Sequence, residues 1–110
     1  MTTDSEELKS RVEKYIGIEE EAISRLRTAS PDNSFAGRIA ANFMEMITSY
    51  FSDAKHFYDR GDYINAFAAL NYSYGWIDSG IRLGVFDGGD DHRLFTLGNV
   101  VILLLLNIFP

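Results

Sequence analysis

Apolar residues recur at three- and four-residue steps over three stretches of this chain, and each stretch ends where a helix cannot continue. Over residues 3–29, Leu8, Val12, Tyr15, Ile16, Ala22, Ile23 and Leu26 form one stripe, the spacing of an amphipathic helix. Thr3 and Asp4 stand three residues before Glu6 and Glu7, so that a side-chain oxygen caps the first turn and a carboxylate reaches back to it. Gly17 costs about 1 kcal/mol relative to alanine in mid-helix and is read as the mark of a close helix crossing. The stop is Ala29-Ser30-Pro31-Asp32-Asn33: proline has no amide to donate and pushes Ser30 toward extended backbone.

Over residues 34–60 the pattern is broader, with Phe35, Ile39, Phe43, Met46, Ile47, Tyr50, Phe51, Ala54, Phe57 and Tyr58 on one face. Gly61 supplies a left-handed residue to end this helix, and Asp62 caps the next. So short a link makes the third helix, residues 62–83, fold back antiparallel. Tyr63, Ala66, Phe67, Leu70, Tyr74, Ile77 and Ile81 form its stripe, Ala69, Tyr72 and Trp76 widen it, and Gly84 stands as a C-terminal cap. The expected fold class is all-α: an antiparallel three-helix bundle over residues 1–84 with a C-terminal apolar extension, the whole being one domain. Phe43, Phe57, Phe67, Leu70 and Ile77 are the expected core.

Residues 85–110 change character twice. Asp87-Gly88-Gly89-Asp90-Asp91 is an acidic turn, and from Leu94 the chain is almost wholly apolar, through Val100-Val101-Ile102-Leu103-Leu104-Leu105-Leu106. A bilayer span needs roughly 20 apolar residues. Residues 94–109 fall short of that and include Gly98, Asn99 and Asn107. The tail is expected to pack on the bundle or at a contact between copies, with membrane contact as the other reading. No fixed-period repeat of a solenoid is present.

The run Tyr50-Phe51-Ser52-Asp53-Ala54-Lys55-His56-Phe57-Tyr58-Asp59-Arg60-Gly61-Asp62-Tyr63, continuing through Ala66-Phe67-Ala68-Ala69-Leu70-Asn71-Tyr72 and Gly75-Trp76-Ile77-Asp78-Ser79-Gly80-Ile81-Arg82-Leu83-Gly84, resembles a small archaeal family known as domain of unknown function 357. The resemblance covers roughly residues 8–97, with Leu94-Phe95-Thr96 near the family's usual end. It implies a short helical bundle in an archaeal cytosol and no activity; the apolar tail after Leu97 departs from the pattern. A weaker similarity to tetratricopeptide hairpins rests on the Gly-Asp-Tyr turn and the small residues that follow it, which is hairpin physics rather than kinship, since one hairpin is not a repeat array.

Composition narrows the function classes. The 110 residues are 46% hydrophobic and carry 16 acidic against 10 basic side chains, a net charge of −6, which describes a folded domain rather than a disordered chain. Nucleic acid is excluded as a partner, because the basic residues are scattered and outnumbered. With no cysteine, disulfides, thiolate metal sites and cysteine nucleophiles are excluded too. Nothing at the start reads as a secretory signal, so a cytoplasmic address is expected.

Candidate chemistry is sparse. Asp53 and His56 share a helical face one turn apart, but two ligands do not hold a metal, and the other histidine, His92, lies beside Asp90 and Asp91 in the acidic turn. Asp87, Asp90 and Asp91 lack the alternating spacing of a calcium loop. No Gly-x-Ser-x-Gly elbow, phosphate-binding glycine loop or dinucleotide fingerprint occurs. On the third helix Asn71, Tyr74, Asp78 and Arg82 follow at three- and four-residue steps beside Tyr72 and Trp76. Asn71, Tyr74, Trp76 and Asp78 are therefore the candidate binding residues, with Asp78 and Arg82 also readable as a one-turn ion pair. Glu19-Glu20-Glu21 reads as a solvated helix face. The expected function is a non-enzymatic helical interaction module, its partner a protein or a second copy, with no catalytic residue, metal or cofactor. Small-ligand binding around the polar row and membrane association through the tail are the other readings.

Overall fold

The structure is a computed structural model and describes residues 4–88. It holds three helices, α1 (Asp4–Arg25), α2 (Phe35–Asp59) and α3 (Tyr63–Leu83), and two two-residue strands, β1 (Arg27–Thr28) and β2 (Phe86–Asp87). The all-α three-helix architecture is thus as the periodicity predicts. The helix α1 is shorter than expected, ending at Arg25 rather than near Ala29, because Arg27 and Thr28 leave the helix to pair antiparallel with Asp87 and Phe86. Ala29 N–H extends this clasp to the Val85 carbonyl at 3.0 Å.

The caps follow the sequence closely. Ser34 Oγ accepts from Gly37 N–H at 3.0 Å and opens α2, and Asp62 Oδ1 accepts from Asn65 N–H at 3.3 Å and opens α3. Gly84, with φ of 85°, closes α3 in the left-handed region, where a side chain would be strained. Its N–H bonds back to the carbonyls of Gly80 and Ile81, and the turn throws Val85 and Phe86 into the core, where both are buried. The bundle therefore takes in residues 85–87 as well as the three helices.

The long antiparallel hairpin of α2 and α3 is the frame, and α1 lies against it mainly along α3. One core cluster, at the Gly61 end, joins Val12 and Tyr15 of α1 to Phe51 and Ala54 of α2 and to Ala66, Phe67 and Leu70 of α3. A second, at the other end, joins Leu26, Ala40, Ile47, Tyr74, Ile77, Val85 and Phe86. Phe67, Leu70 and Ile77 are core positions as predicted, whereas Phe43 and Phe57 are only half-buried. The periodicity places both on the inward half of α2, where Phe57 packs at the edge of the first cluster and Phe43 at the edge of the second.

Gly17 is exposed, and an added methyl would meet nothing within 4 Å, so the expected helix crossing there does not exist. The close approach is at Gly80 instead, where a Cβ would stand 2.3 Å from the Phe86 ring. That glycine is what lets the strand segment fold flat against α3. The acidic turn from Gly89 onward, His92 and the apolar tail lie outside the described residues.

Candidate functional site

Two features of the bundle bear on function: a buried polar seam under α1 and an aromatic strip on the opposite side of the hairpin. The seam centres on Glu19, which is 2% exposed. Its burial corrects the reading of Glu19-Glu20-Glu21 as a solvated face: Glu20 and Glu21 are exposed, but Glu19 is not. The stripe Leu8, Val12, Tyr15, Ala22 and Leu26 steps by four and three residues with one gap, and Glu19 fills it. A carboxylate in that register is a signal the sequence does carry, overlooked because the acidic triplet hides it.

Burial pushes the Glu19 carboxyl up to about 8, the Ser73 hydroxyl pulling less strongly the other way. Its Oε1 is buried and meets no hydrogen-bond partner among the described residues. Ser73, itself fully buried, donates to the Ile47 carbonyl at 3.0 Å. The same hydroxyl lies at the Glu19 carboxyl, where its hydrogen bond favours the ionised form less than burial disfavours it. Glu19 is thus a protonated core residue at neutral pH, set where α1, α2 and α3 meet between the two apolar clusters.

Nearer the Gly61 end, the Tyr58 hydroxyl donates to the Glu13 carboxylate and ties α2 to α1. That bond pushes the Tyr58 phenol up to about 12, with smaller contributions from burial and neighbouring charge.

The predicted row on α3 does not converge. Tyr74 is buried in the cluster that holds Leu26, Asn71 is half-buried beside it, and Asp78 takes Arg82 Nε on both carboxylate oxygens at 3.0 and 2.9 Å. Its side chains are 70% and 36% exposed, so it is the ordinary one-turn pair expected. Trp76 follows Tyr74 by two residues, hence about 200° round the helix, and packs on Phe43 of α2 with ring centroids 4.8 Å apart. Asn71, Tyr74 and Asp78 therefore share one side and Trp76 faces the other. Among the described residues no three His, Asp or Glu side chains gather as metal ligands, and Asp53 and His56 are both exposed on α2.

The side that Trp76 faces is the more informative. Phe67, which meets Tyr15 of α1 edge-on at 6.2 Å, stands nine residues before Trp76, so the two point about 180° apart. Trp76 thus marks the side of the hairpin turned away from α1. Along it α2 sets Phe35, Ile39, Phe43, Met46 and Tyr50 at steps of four, four, three and four, and α3 sets Tyr72, Trp76 and Leu83. Tyr50 and Tyr72 pack at 4.4 Å between centroids. Four large hydrophobics in the described bundle are strongly exposed, and three of them, Phe35 at 73%, Leu83 at 61% and Tyr72 at 54%, lie on this strip. The sequence places all of these but Leu83 on apolar helix faces and only Phe43 among the expected core; what it does not carry is the position of α1.

No helix among the described residues is long and apolar enough to cross a membrane. No curated protein and no solved structure matches the chain. One family does, described as a protein of unknown function, DUF357. Its model matches residues 14–86, which is about two-thirds of the chain, from the middle of α1 to the Phe86 that closes the bundle and short of Leu94-Phe95-Thr96. By that match, and by the three-helix fold it spans, the chain belongs to the DUF357 family.

Proposed function

We propose that this chain is a non-enzymatic protein-interaction module whose contact surface is the aromatic strip of α2 and α3. The observation that carries the reading is the grouping of Phe35, Tyr72 and Leu83, all more than half exposed, on the one side of the hairpin that α1 leaves open. Scattered exposed hydrophobics need no explanation, but a contiguous aromatic strip does. Tyrosine, tryptophan and phenylalanine supply large contact area at low entropic cost and dominate binding interfaces. A strip of aromatic rings running along two antiparallel helices suits an amphipathic helix laid along the hairpin, its apolar side chains at one-turn spacing. The net charge of −6 favours a partner with basic flanks.

The test is affinity capture from a lysate with the full chain and with a Tyr72→Ser/Leu83→Ser variant of equal helix content. A protein retained by the first and lost from the second supports the strip as the contact surface. An identical set of captured proteins refutes it.

A further inference from the structure

The three helices are not held alike. Of the 22 residues of α1 four are buried, Val12, Tyr15, Glu19 and Ala22, and one of those is an acid. The hairpin helices bury five and seven, none of them charged. They also share the ring pairs Phe43 with Trp76 and Tyr50 with Tyr72, in which α1 has no part. The polar support of α1 lies largely within itself: an acidic first turn, a basic last turn, and the pairs Glu7–Arg11 and Glu21–Arg25, each at 2.8 Å. Such terms stabilise a helix without a neighbour. The position of α1 therefore depends on the hairpin more than its helicity does.

At its Arg25 end that position is fixed by the clasp. Arg27 pairs with Asp87 and Thr28 with Phe86, and Leu26 is buried with Val85 and Phe86 in the second cluster. These contacts lie beyond Glu19 and form a hinge. Toward the Gly61 end the groups around the seam decide. Among the buried side chains of the three helices, those that titrate are Tyr15 and Glu19 on α1 and Tyr74 on α3; α2 contributes none, and no lysine, arginine or histidine is among them. The half-buried charges Arg11 and Asp78 are paired with Glu7 and Arg82. A tyrosine ordinarily keeps its proton to about 10, and burial raises Tyr15 further, so Glu19 is the first of the three to ionise. With no buried base beside it, a Glu19 carboxylate is solvated only by reaching water. Because α1 carries it, reaching water means lifting α1.

We propose that α1 is a hinged arm, fixed at its Arg25 end by the β1–β2 clasp and released from α3 over residues 12–22 when Glu19 ionises. Release uncovers Phe67, the ring that Tyr15 meets edge-on. The device rests on no reading of the aromatic strip. Docked, Glu19 holds its proton to about 8, whereas in water it ionises near 4.5. Between those values the equilibrium constant for release rises about tenfold per pH unit.

Amide hydrogen exchange, resolved by residue on the full chain at pH 5, 6.5 and 8 and corrected for the intrinsic rate at each pH, tests this. The exposed neighbour supplies the control, so that Glu19→Gln and Glu20→Gln are measured beside the parent. The amides of residues 12–22 are expected to be protected about tenfold less than those of Ile47 and Ile77, as befits a part that opens by itself. Their protection should fall about a thousandfold from pH 5 to 8 in the parent and in Glu20→Gln, and stay level in Glu19→Gln. Equal protection in α1 and the hairpin overturns the proposal, because α1 then leaves only when the whole bundle unfolds. So does an α1 whose protection is level with pH in the parent, or falls as steeply in Glu19→Gln.

Discussion

The two sides of the α2–α3 hairpin are built from similar residues and put to different ends. Under α1, Phe67, Leu70 and Ile77 are at most 2% exposed, and Glu19, beside Ser73, has a carboxyl group that burial pushes up to about 8. On the far side Phe43 and Trp76 are half-buried, and Phe35, Tyr72 and Leu83 stand in solvent by more than half. The lesson is that an apolar stripe on a helix states a need for cover without naming what supplies it. On one side α1 supplies it, and stability depends on that contact. The other side is one that α1 leaves uncovered, with Phe35, Tyr72 and Leu83 exposed.

The strongest way to break this contrast is to truncate a residue on the covered side. Phe67→Ala should cost about 3–5 kcal/mol in urea unfolding, since it is 1% exposed and bears on Tyr15. A loss below about 1 kcal/mol would mean that α1 contributes little to the core.

Next in size is the pH dependence carried by Glu19. In the unfolded chain its carboxyl ionises near 4.5, while in the folded bundle it holds its proton to about 8. Between those values the folded state binds the extra proton, so stability is greatest below pH 4.5, falls as pH rises to 8, and levels off above. The fall should be on the order of a few kcal/mol, and Glu19→Gln should flatten it while raising stability at pH 8. Urea midpoints at pH 5, 6.5 and 8 for both chains check the slope; a parent chain as pH-insensitive as the variant would place Glu19 in water.

Smaller again is Gly80→Ala. Its methyl would meet the Phe86 ring and drive the β2 segment off α3, lowering stability by about 1–3 kcal/mol, as thermal unfolding would report. The least effect belongs to the open side. Tyr72→Ser should change stability by under about 1 kcal/mol, and Asp78→Asn by under about 0.5 kcal/mol because its ion pair with Arg82 is solvated. A Tyr72→Ser loss matching that of Phe67→Ala would erase the distinction between the two sides.

Much of this fold is legible in the chain alone, because its signals are local. Ser34, Asp62 and Gly84 act as caps where their chemistry places them, Pro31 interrupts the first two helices, and the Arg60-Gly61-Asp62 link is too short for anything but an antiparallel hairpin. Each is a matter of one backbone donor, one side-chain oxygen or one permitted φ, and needs no distant partner. The candidate site was less legible. Asn71, Tyr74, Trp76 and Asp78 share a helix, yet 100° per residue separates Trp76 from the others, and Asp78 already has Arg82.

What only the tertiary structure decides is which neighbour each stripe meets. Leaning on α3, α1 buries Glu19 and leaves Trp76 half-buried on the far side of the hairpin. The β1–β2 clasp, joining residues some sixty positions apart, ends α1 four residues early. Burial, and with it the protonation of Glu19 and the exposure of Tyr72, is a property of packing between distant segments. Helix periodicity is determined within a few turns, and that is why the chain by itself determines three helices and the caps of α2 and α3, but neither the end of α1 nor the side of the hairpin that α1 leaves uncovered.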